Sequence, residues 1–286
     1  MEKIMCPWCE SLRTDFFVAK NNCDVYRCKN CRLLFVFPIP TNVSVYDKDY
    51  FAGAEDGFGY VDYDSDKEPM VPTFVRYLKE IKKLGVTGGK LLDVGAATGF
   101  FMHIAEKEGF DTTGVELSDF AAGEGRKKGL NILTSTLENA QFPAESFEVV
   151  TMCDVLEHVT DPKGFLLEAV RVLKRGGLMV INTPNAESLV AGVLGPRWHL
   201  IVPPEHLHYF SPRNLGNYLE KEGCEVAVST TIGKRFTLTY IFKTLYKWQH
   251  LRVWNILAGF FGNKSLAGWY IPLNTHDNFF MIVRKK

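Results

Sequence analysis

Cys6-Pro-Trp-Cys9 and Cys28-Lys-Asn-Cys31 are two C-x2-C pairs separated by 18 residues near the start of a 286-residue chain. Zinc prefers four thiolates in a tetrahedron, and two short knuckles supply them on opposing turns. Four cysteine ligands leave no open position, so the Zn2+ they imply at Cys6, Cys9, Cys28 and Cys31 is structural rather than reactive. A redox C-x-x-C pair would sit at a strand-to-helix turn, whereas this pair occurs twice, ahead of the alternating body. Cys23 is left over, either as a small buried residue or as a replacement ligand.

Three further groups carry chemistry. In LLDVGAATGFF an apolar run ends at Asp93-Val94-Gly95, the chain turns through Ala96-Ala97-Thr98-Gly99, and helical spacing begins at Phe100. Small residues let backbone approach a ligand, and a helix N-terminus favours a carboxylate or phosphate. The dinucleotide fingerprint G-x-G-x-x-G/A fails here, because its second and third small positions are Ala97 and Phe100. Asp154, Glu157 and His158 have i, i+3, i+4 spacing; on one helical face they could bind a divalent ion, or they could simply cap and pack. Glu205, His206 and His208 follow the last strand of the alternating region, where ligands of open α/β sheets bind. Histidine suits general-base work near neutral pH, and His206 is the preferred base with His158 as a second candidate. The other reading is a turn whose histidines bond backbone.

The elements that would hold these groups alternate. LLDVG, DTTGVEL, NILTS, FEVVTMC and LMVIN read as short apolar strands with helices between them. Phe74, Tyr77, Leu78 and Ile81 mark one helix; Ser118 can cap the segment after the second strand. Asp161 and Pro162 start another helix, which Gly176-Gly177 are expected to end. CEVAVST is a later strand, and NFFMIVRKK reads as a closing edge strand. The expected fold is α/β: a Rossmann-like, doubly wound, mostly parallel seven-stranded sheet. The expected divisions are 1–40 as a cysteine module, 41–85 as an acidic aromatic linker or lid with the first helix, and 86–286 as the main domain, with a cap inserted at about 234–275.

The arrangement D-x-G-x-A-x-G resembles motif I of class I S-adenosylmethionine (SAM)-dependent methyltransferases. The resemblance implies that Asp93 orients the loop and the methionine amino group. Glu116, with Leu117 beside it, fits the acid that holds both ribose hydroxyls. Leu137 and Glu138 fall where that family lines the adenine, and Cys153 and Asp154 would sit near the sulfonium. Together with the loop residues Gly95, Ala96, Ala97, Gly99 and Phe100 they form the implied cofactor site for SAM, which leaves as S-adenosylhomocysteine (SAH). DVLEHV followed by EHLHYFSP looks most like the ubiquinone-biosynthesis O-methyltransferase branch, whose resemblance would also imply metal at the Asp154/Glu157/His158 face. Sugar C-methyltransferases are similar too, since they pair an amino-terminal zinc module with a Glu-His pair in an EH-x2-YFS setting, matched here by Glu205 and His206. They carry a further carboxy-terminal domain that this chain is too short to contain, and the Tyr two residues before their pair is Pro203 here.

Composition bounds the partners. Lys plus Arg and Asp plus Glu are 33 each, so the formal charge is zero and a generally basic nucleic-acid binder is excluded. The balance is uneven: residues 42–70 carry eight acids and two lysines, and 234–286 carry nine basic residues and one acid with 12 of the 37 aromatics. Tyr46, Tyr50, Phe51, Tyr60 and Tyr63 in the acidic part are a lid or a packing pad. The basic tail caps the acceptor, meets an interfacial lipid-linked acceptor, or stacks RNA bases. The start MEKIMCPWCE has no apolar h-region, and clustered thiols without an export signal point to a reducing cytoplasm. The expectation is a SAM-dependent methyltransferase acting on a small-molecule acceptor, most simply at a hydroxyl oxygen, without stable nucleic-acid binding. Its rivals are sugar C- or RNA methylation and a SAM-sensing, zinc-mediated binding module.

Overall fold

The computed structural model describes residues 4–40, 63–249, 251–262 and 270–286. Tyr46, Tyr50, Phe51 and Tyr60 of the expected lid lie outside them. The amino-terminal segment forms β1 (Thr14–Lys20), β2 (Cys23–Cys28) and β3 (Leu34–Val36). The five predicted strands of the alternating body are β4 (Gly89–Val94), β5 (Phe110–Glu116), β6 (Ile132–Thr134), β7 (Phe147–Cys153) and β8 (Leu173–Pro184). β9 (His208–Tyr209), β10 (Cys224–Thr230), β11 (Lys234–Thr237), β12 (Tyr270–Leu273) and β13 (Asn278–Lys285) follow.

Seven strands make one sheet in the order β10-β13-β8-β7-β4-β5-β6. The run from β8 to β6 is parallel, and β13 lies antiparallel to both β8 and β10. Period-two alternation splits the apolar residues between two cores. Leu92, Val94, Val150, Met152 and Ile181 point into one; Leu91, Val149, Leu178, Val180 and Phe280 point into the other. The helix Val71–Lys83 covers the second core with Phe74, Tyr77, Leu78 and Ile81, the predicted stripe, and Tyr77 stacks on Phe280 at 4.5 Å. Because the strand order reverses between β7 and β5 around β4, a crevice opens at the carboxyl end of β4.

Three expectations need correction. The helix starting at Pro162 ends at Val172, not at Gly176-Gly177: Leu173 is buried and already paired with Phe147, so the sheet claims it, and Lys174–Gly177 form a bulge before Leu178 pairs with Val149. β13 is an interior strand, since Phe279 to Val283 are continuously buried instead of alternating; β10 is the edge. The third concerns EHLHYFSP, expected to be a loop. His208 and Tyr209 form β9, which adds to β1, β2 and β3 as the fourth strand of a second sheet, with Leu34 opposite Tyr209 and Phe35 opposite His208.

The cysteine segment is therefore not a free-standing bead. Cys6, Trp8, Cys28, Leu33 and Phe35 share the first core with Leu92, Met152 and Phe210, and the Trp8 indole donates to the Asn214 carbonyl at 3.2 Å. At the other end of the chain, β11 and β12 pair with each other beneath the helices Leu238–Gln249 and Arg252–Phe261. Phe242 stacks against Trp254 at 5.9 Å and Phe261 at 5.5 Å, so the two helices of this cap pack on each other.

Candidate active site

The loop after β4 is built tightly. Gly95, Ala97 and Gly99 all have positive φ (73°, 50° and 76°). A Cβ on Gly95 would stand 2.5 Å from Val155 Cγ2, and one on Gly99 would stand 2.2 Å from Leu130 Cδ1. A side chain at either position would be strained by the positive φ and would push that neighbour aside. Ala97 accepts a left-handed conformation that costs an L-residue roughly 1–2 kcal/mol, and its backbone N–H donates to Glu116 Oε2 at 2.9 Å. Glu116 also accepts from Ser118 N at 2.9 Å. One buried carboxylate thus ties the loop to the end of β5. Its oxygens keep further lone pairs for a vicinal diol. Burial raises the pKa of Glu116, and these backbone amides oppose the shift.

Asp93 is buried beside the loop and accepts from Thr151 Oγ1 at 2.6 Å. Burial lifts its pKa to about 7, opposed by Thr151 and reinforced by the charge of Glu116. The helix Phe100–Lys107 begins at Gly99 without a side-chain cap, which leaves its first N–H groups available to an anion. Leu117 is 60% exposed at the rim while its neighbour Glu116 is buried. Glu138 is exposed, whereas Leu137 is 1% exposed and part of the core. Cys153 ends β7 half-buried.

Asp64, absent from the sequence reading, approaches the same loop. It accepts from Thr98 Oγ1 at 2.5 Å and pairs with Lys128, and Tyr63 packs against Ala97 and Ala121. A lone acid in an acid-rich stretch carries no pattern that would single it out.

The acceptor side differs most from expectation. Residues Leu156–His158 form a 3-10 turn, not an α-helix, so i, i+3, i+4 spacing no longer gathers Asp154, Glu157 and His158 on one face. Asp154 adopts φ 57° and accepts from Asn182 Nδ2 at 2.7 Å. Glu157 and His158 are joined instead by His206, and among the described residues their ligating atoms lie within 4.8 Å of one another. The two imidazole rings meet edge-on at 4.9 Å. Glu157 is 2% exposed and accepts from Thr183 Oγ1 at 2.8 Å. His158 Nδ1 bonds the Glu205 carbonyl at 2.7 Å, and His206 Nδ1 bonds the Leu200 carbonyl at 2.9 Å. A carbonyl only accepts, so both rings carry the proton on Nδ1 and turn a basic Nε2 outward from those bonds. Burial lowers the pKa of His158, opposed by the Glu205 backbone, which keeps it neutral as a base requires. Burial raises the pKa of the Glu205 carboxyl, opposed by the charge of His158. His208 is fully buried in β9 and stays outside this group; burial drops its pKa to about 4. This turn abuts the glycine loop, since Val155 is the side chain that leaves Gly95 no room for a Cβ.

The four predicted cysteines also converge. Cys6 and Cys31 Sγ are 3.7 Å apart and Cys9 and Cys28 Sγ 3.5 Å, with all four sulfurs within 4.8 Å. About 3.8 Å between sulfurs is what four Zn–S bonds of about 2.3 Å require in a tetrahedron. The set fits zinc. Cys23 stands apart from it, packed near Val25 and Tyr209.

A methyltransferase domain family model matches residues 71–228, more than half of the chain. The chain belongs to this family. Its seven-stranded body is that of a class I SAM-dependent methyltransferase. The ubiquinone biosynthesis O-methyltransferase of Azoarcus sp. (strain BH72) is 29% identical over 155 residues, covering 50% of this chain and 66% of that protein. The match thus spans just under two thirds of the relative's own length. The demethylmenaquinone methyltransferase of Tropheryma whipplei (strain Twist) is 38% identical over 105 residues, 35% of this chain and 44% of its own. Among solved structures, magnesium protoporphyrin IX methyltransferase from Synechocystis PCC 6803 with bound SAH superposes with a TM-score of 0.51 at 13% identity. It covers 81% of this methyltransferase chain and 90% of its own, a likeness of fold alone. No helix among the described residues is long and apolar enough to cross a membrane.

Proposed function

We propose that the methyltransferase moves the SAM methyl group to a hydroxyl oxygen of a small acceptor, a ring hydroxyl of a quinone precursor being the favoured class. The relative named for O-methylation in ubiquinone biosynthesis supports the oxygen, and the one named for demethylmenaquinone supports a quinone-type acceptor. Asp93 holds the methionine ammonium, the N-terminus of the helix at Phe100 faces its carboxylate, and Glu116 takes the ribose diol. Leu117 and Glu138 border the adenine, and Cys153 and Asp154 flank the sulfonium. Methyl transfer is an in-line displacement, so positioning supplies most of the rate. The acceptor oxygen forms the new C–O bond as the C–S bond breaks; its proton passes to His206 Nε2, and SAH leaves. His158 and Glu205 border the same space, and the buried Glu157 carboxylate favours an imidazolium forming on its neighbours. Cys6, Cys9, Cys28 and Cys31 hold a structural zinc that takes no part in the transfer.

The observation that carries this reading is the meeting of Glu157, His158 and His206 beside the glycine loop. The same trio supports a second reading, in which two imidazoles and a carboxylate hold a divalent ion that polarises the acceptor oxygen. His206→Ala separates function from packing: turnover on a ring-hydroxyl acceptor falls at least 100-fold while SAH affinity is unchanged. Unchanged turnover removes His206 from the mechanism. Turnover that needs added divalent ion in the wild-type chain favours the second reading over the first.

A further inference from the structure

We infer that the amino-terminal cysteine module is the positioning arm of the acceptor site, holding the segment 202–209, and with it His206, against Glu157 and His158. The inference rests on the acceptor-site reading of that segment. Its basis is the number of bonds that cross from the module. Asn21, at the tip of the β1–β2 hairpin, donates through Nδ2 to the Pro203 carbonyl at 2.7 Å. Val36 N donates to the Leu207 carbonyl at 2.9 Å. β3 and β9 then pair over Leu34–Tyr209 and Phe35–His208.

On its other side the segment is bonded to the catalytic turn. Leu207 N donates to the Glu157 carbonyl at 2.8 Å, and His158 donates to the Glu205 carbonyl. The Tyr209 hydroxyl donates to the His206 carbonyl at 3.0 Å. Residues 202–209 are thus a bridge with one foot on the module and one on the turn. A two-residue strand has little order of its own. β9 exists because β3 presents an edge to it.

That edge is set by the cysteine knuckle. Cys28 N donates to the Leu33 carbonyl at 2.9 Å and Arg32 N to the Cys28 carbonyl at 3.0 Å, so β3 leaves the Cys28–Cys31 turn in a fixed direction. The Cys31 carbonyl accepts from Asn214 Nδ2 at 3.3 Å, which keys the knuckle to the helix Pro212–Lys221. The four thiolates converge at this turn, so an ion held by them would fix the direction in which the arm leaves it. Asn21 and β3 are positioning residues: they act through His206 and meet no reacting atom.

Two experiments on the full chain test this. In Asn21→Gly the turn keeps its positive φ (51° at Asn21) while the clamp on Pro203 is lost. Amide exchange over 205–209 should quicken about tenfold, the worth of one hydrogen bond. Acceptor kcat should fall, with SAH affinity and zinc content unchanged. In zinc-depleted protein, exchange over 205–209 should quicken while β4 and β5 keep their protection. If depletion unfolds the whole chain, Asn21→Gly decides alone. Wild-type exchange over 205–209 in both preparations, or faster exchange with undiminished kcat, overturns the inference. Failure of the underlying reading shows separately, as full turnover in His206→Ala; an inactive His206→Ala beside unchanged exchange defeats the positioning inference alone.

Discussion

At the scale of single residues, Asp93 sets a pH dependence whose sign is fixed. Its folded pKa of about 7 stands above the value of about 3.9 expected for an unfolded aspartate. The ligand-free fold therefore holds a proton that the unfolded chain releases between those limits. The contribution of Asp93 to stability is greatest below about pH 4 and declines as pH rises to about 7. A bound ammonium reverses the preference, because only the ionised carboxylate can pair with it. SAH affinity, measured by calorimetry from pH 5.5 to 8.5, should fall as pH drops below about 7, by up to tenfold per unit. Asp93→Asn should bind weakly and lose that slope; a wild-type profile without it removes Asp93 from the ammonium site. Asp93 and Glu116 stand out in the sequence because each sits at the end of an apolar strand run, and the structure places both, buried, beside the glycine loop. The partnership of His206 with Glu157 was not legible there, since spacing along one helix grouped Glu157 with Asp154 and His158, and no periodicity links residues 49 positions apart.

The elements show where local pattern governs and where pairing does. The glycine loop is a local device: β4 must end, reverse and enter a helix within a few residues, and Gly95 does so with φ 73° against Val155. Gly95→Ala should cost about 1–2 kcal/mol for the left-handed conformation alone, and more for the clash with Val155. Adding Val155→Ala should recover only the clash. A double-mutant cycle read by urea unfolding measures the split, and full recovery in the double variant would mean that the backbone conformation carries no cost. The Val71–Lys83 stripe and the body strands were readable for the same local reason. β9 was not, because its partner β3 lies more than 170 residues earlier and two residues carry no period. The end of the helix at Val172 was misplaced because pairing of Leu173 with Phe147 outweighs the glycine signal two turns of strand later.

Across the whole molecule, the neutral formal charge is a sum of opposites. The crevice proposed for the cofactor lies at the ends of β4, β5 and β7. The proposed acceptor wall is assembled from distant segments, with the cysteine module bonded to it from one side. The cap between β10 and β13 leaves the same carboxyl rim of the sheet, since Thr230 pairs with Phe280 and Asn278 with Pro184. Its two helices pack on each other, and Val253, Ile256 and Phe260 remain exposed along one of them. The ends of the cap are already neighbours across the sheet edge, so replacing 234–275 with a short glycine-rich turn should leave the seven strands paired. Asp277, which accepts from Trp198 Nε1 and pairs with His199, is retained in that design. The shortened chain should bind SAH within about threefold of wild type, since the cap supplies none of the cofactor contacts proposed above. Acceptor KM should rise, because the cap rises beside the acceptor wall. SAH binding lost from a chain that still folds would place the cap over the cofactor instead; an unchanged acceptor KM would leave the exposed apolar face of the helix Arg252–Phe261 without a part in substrate selection.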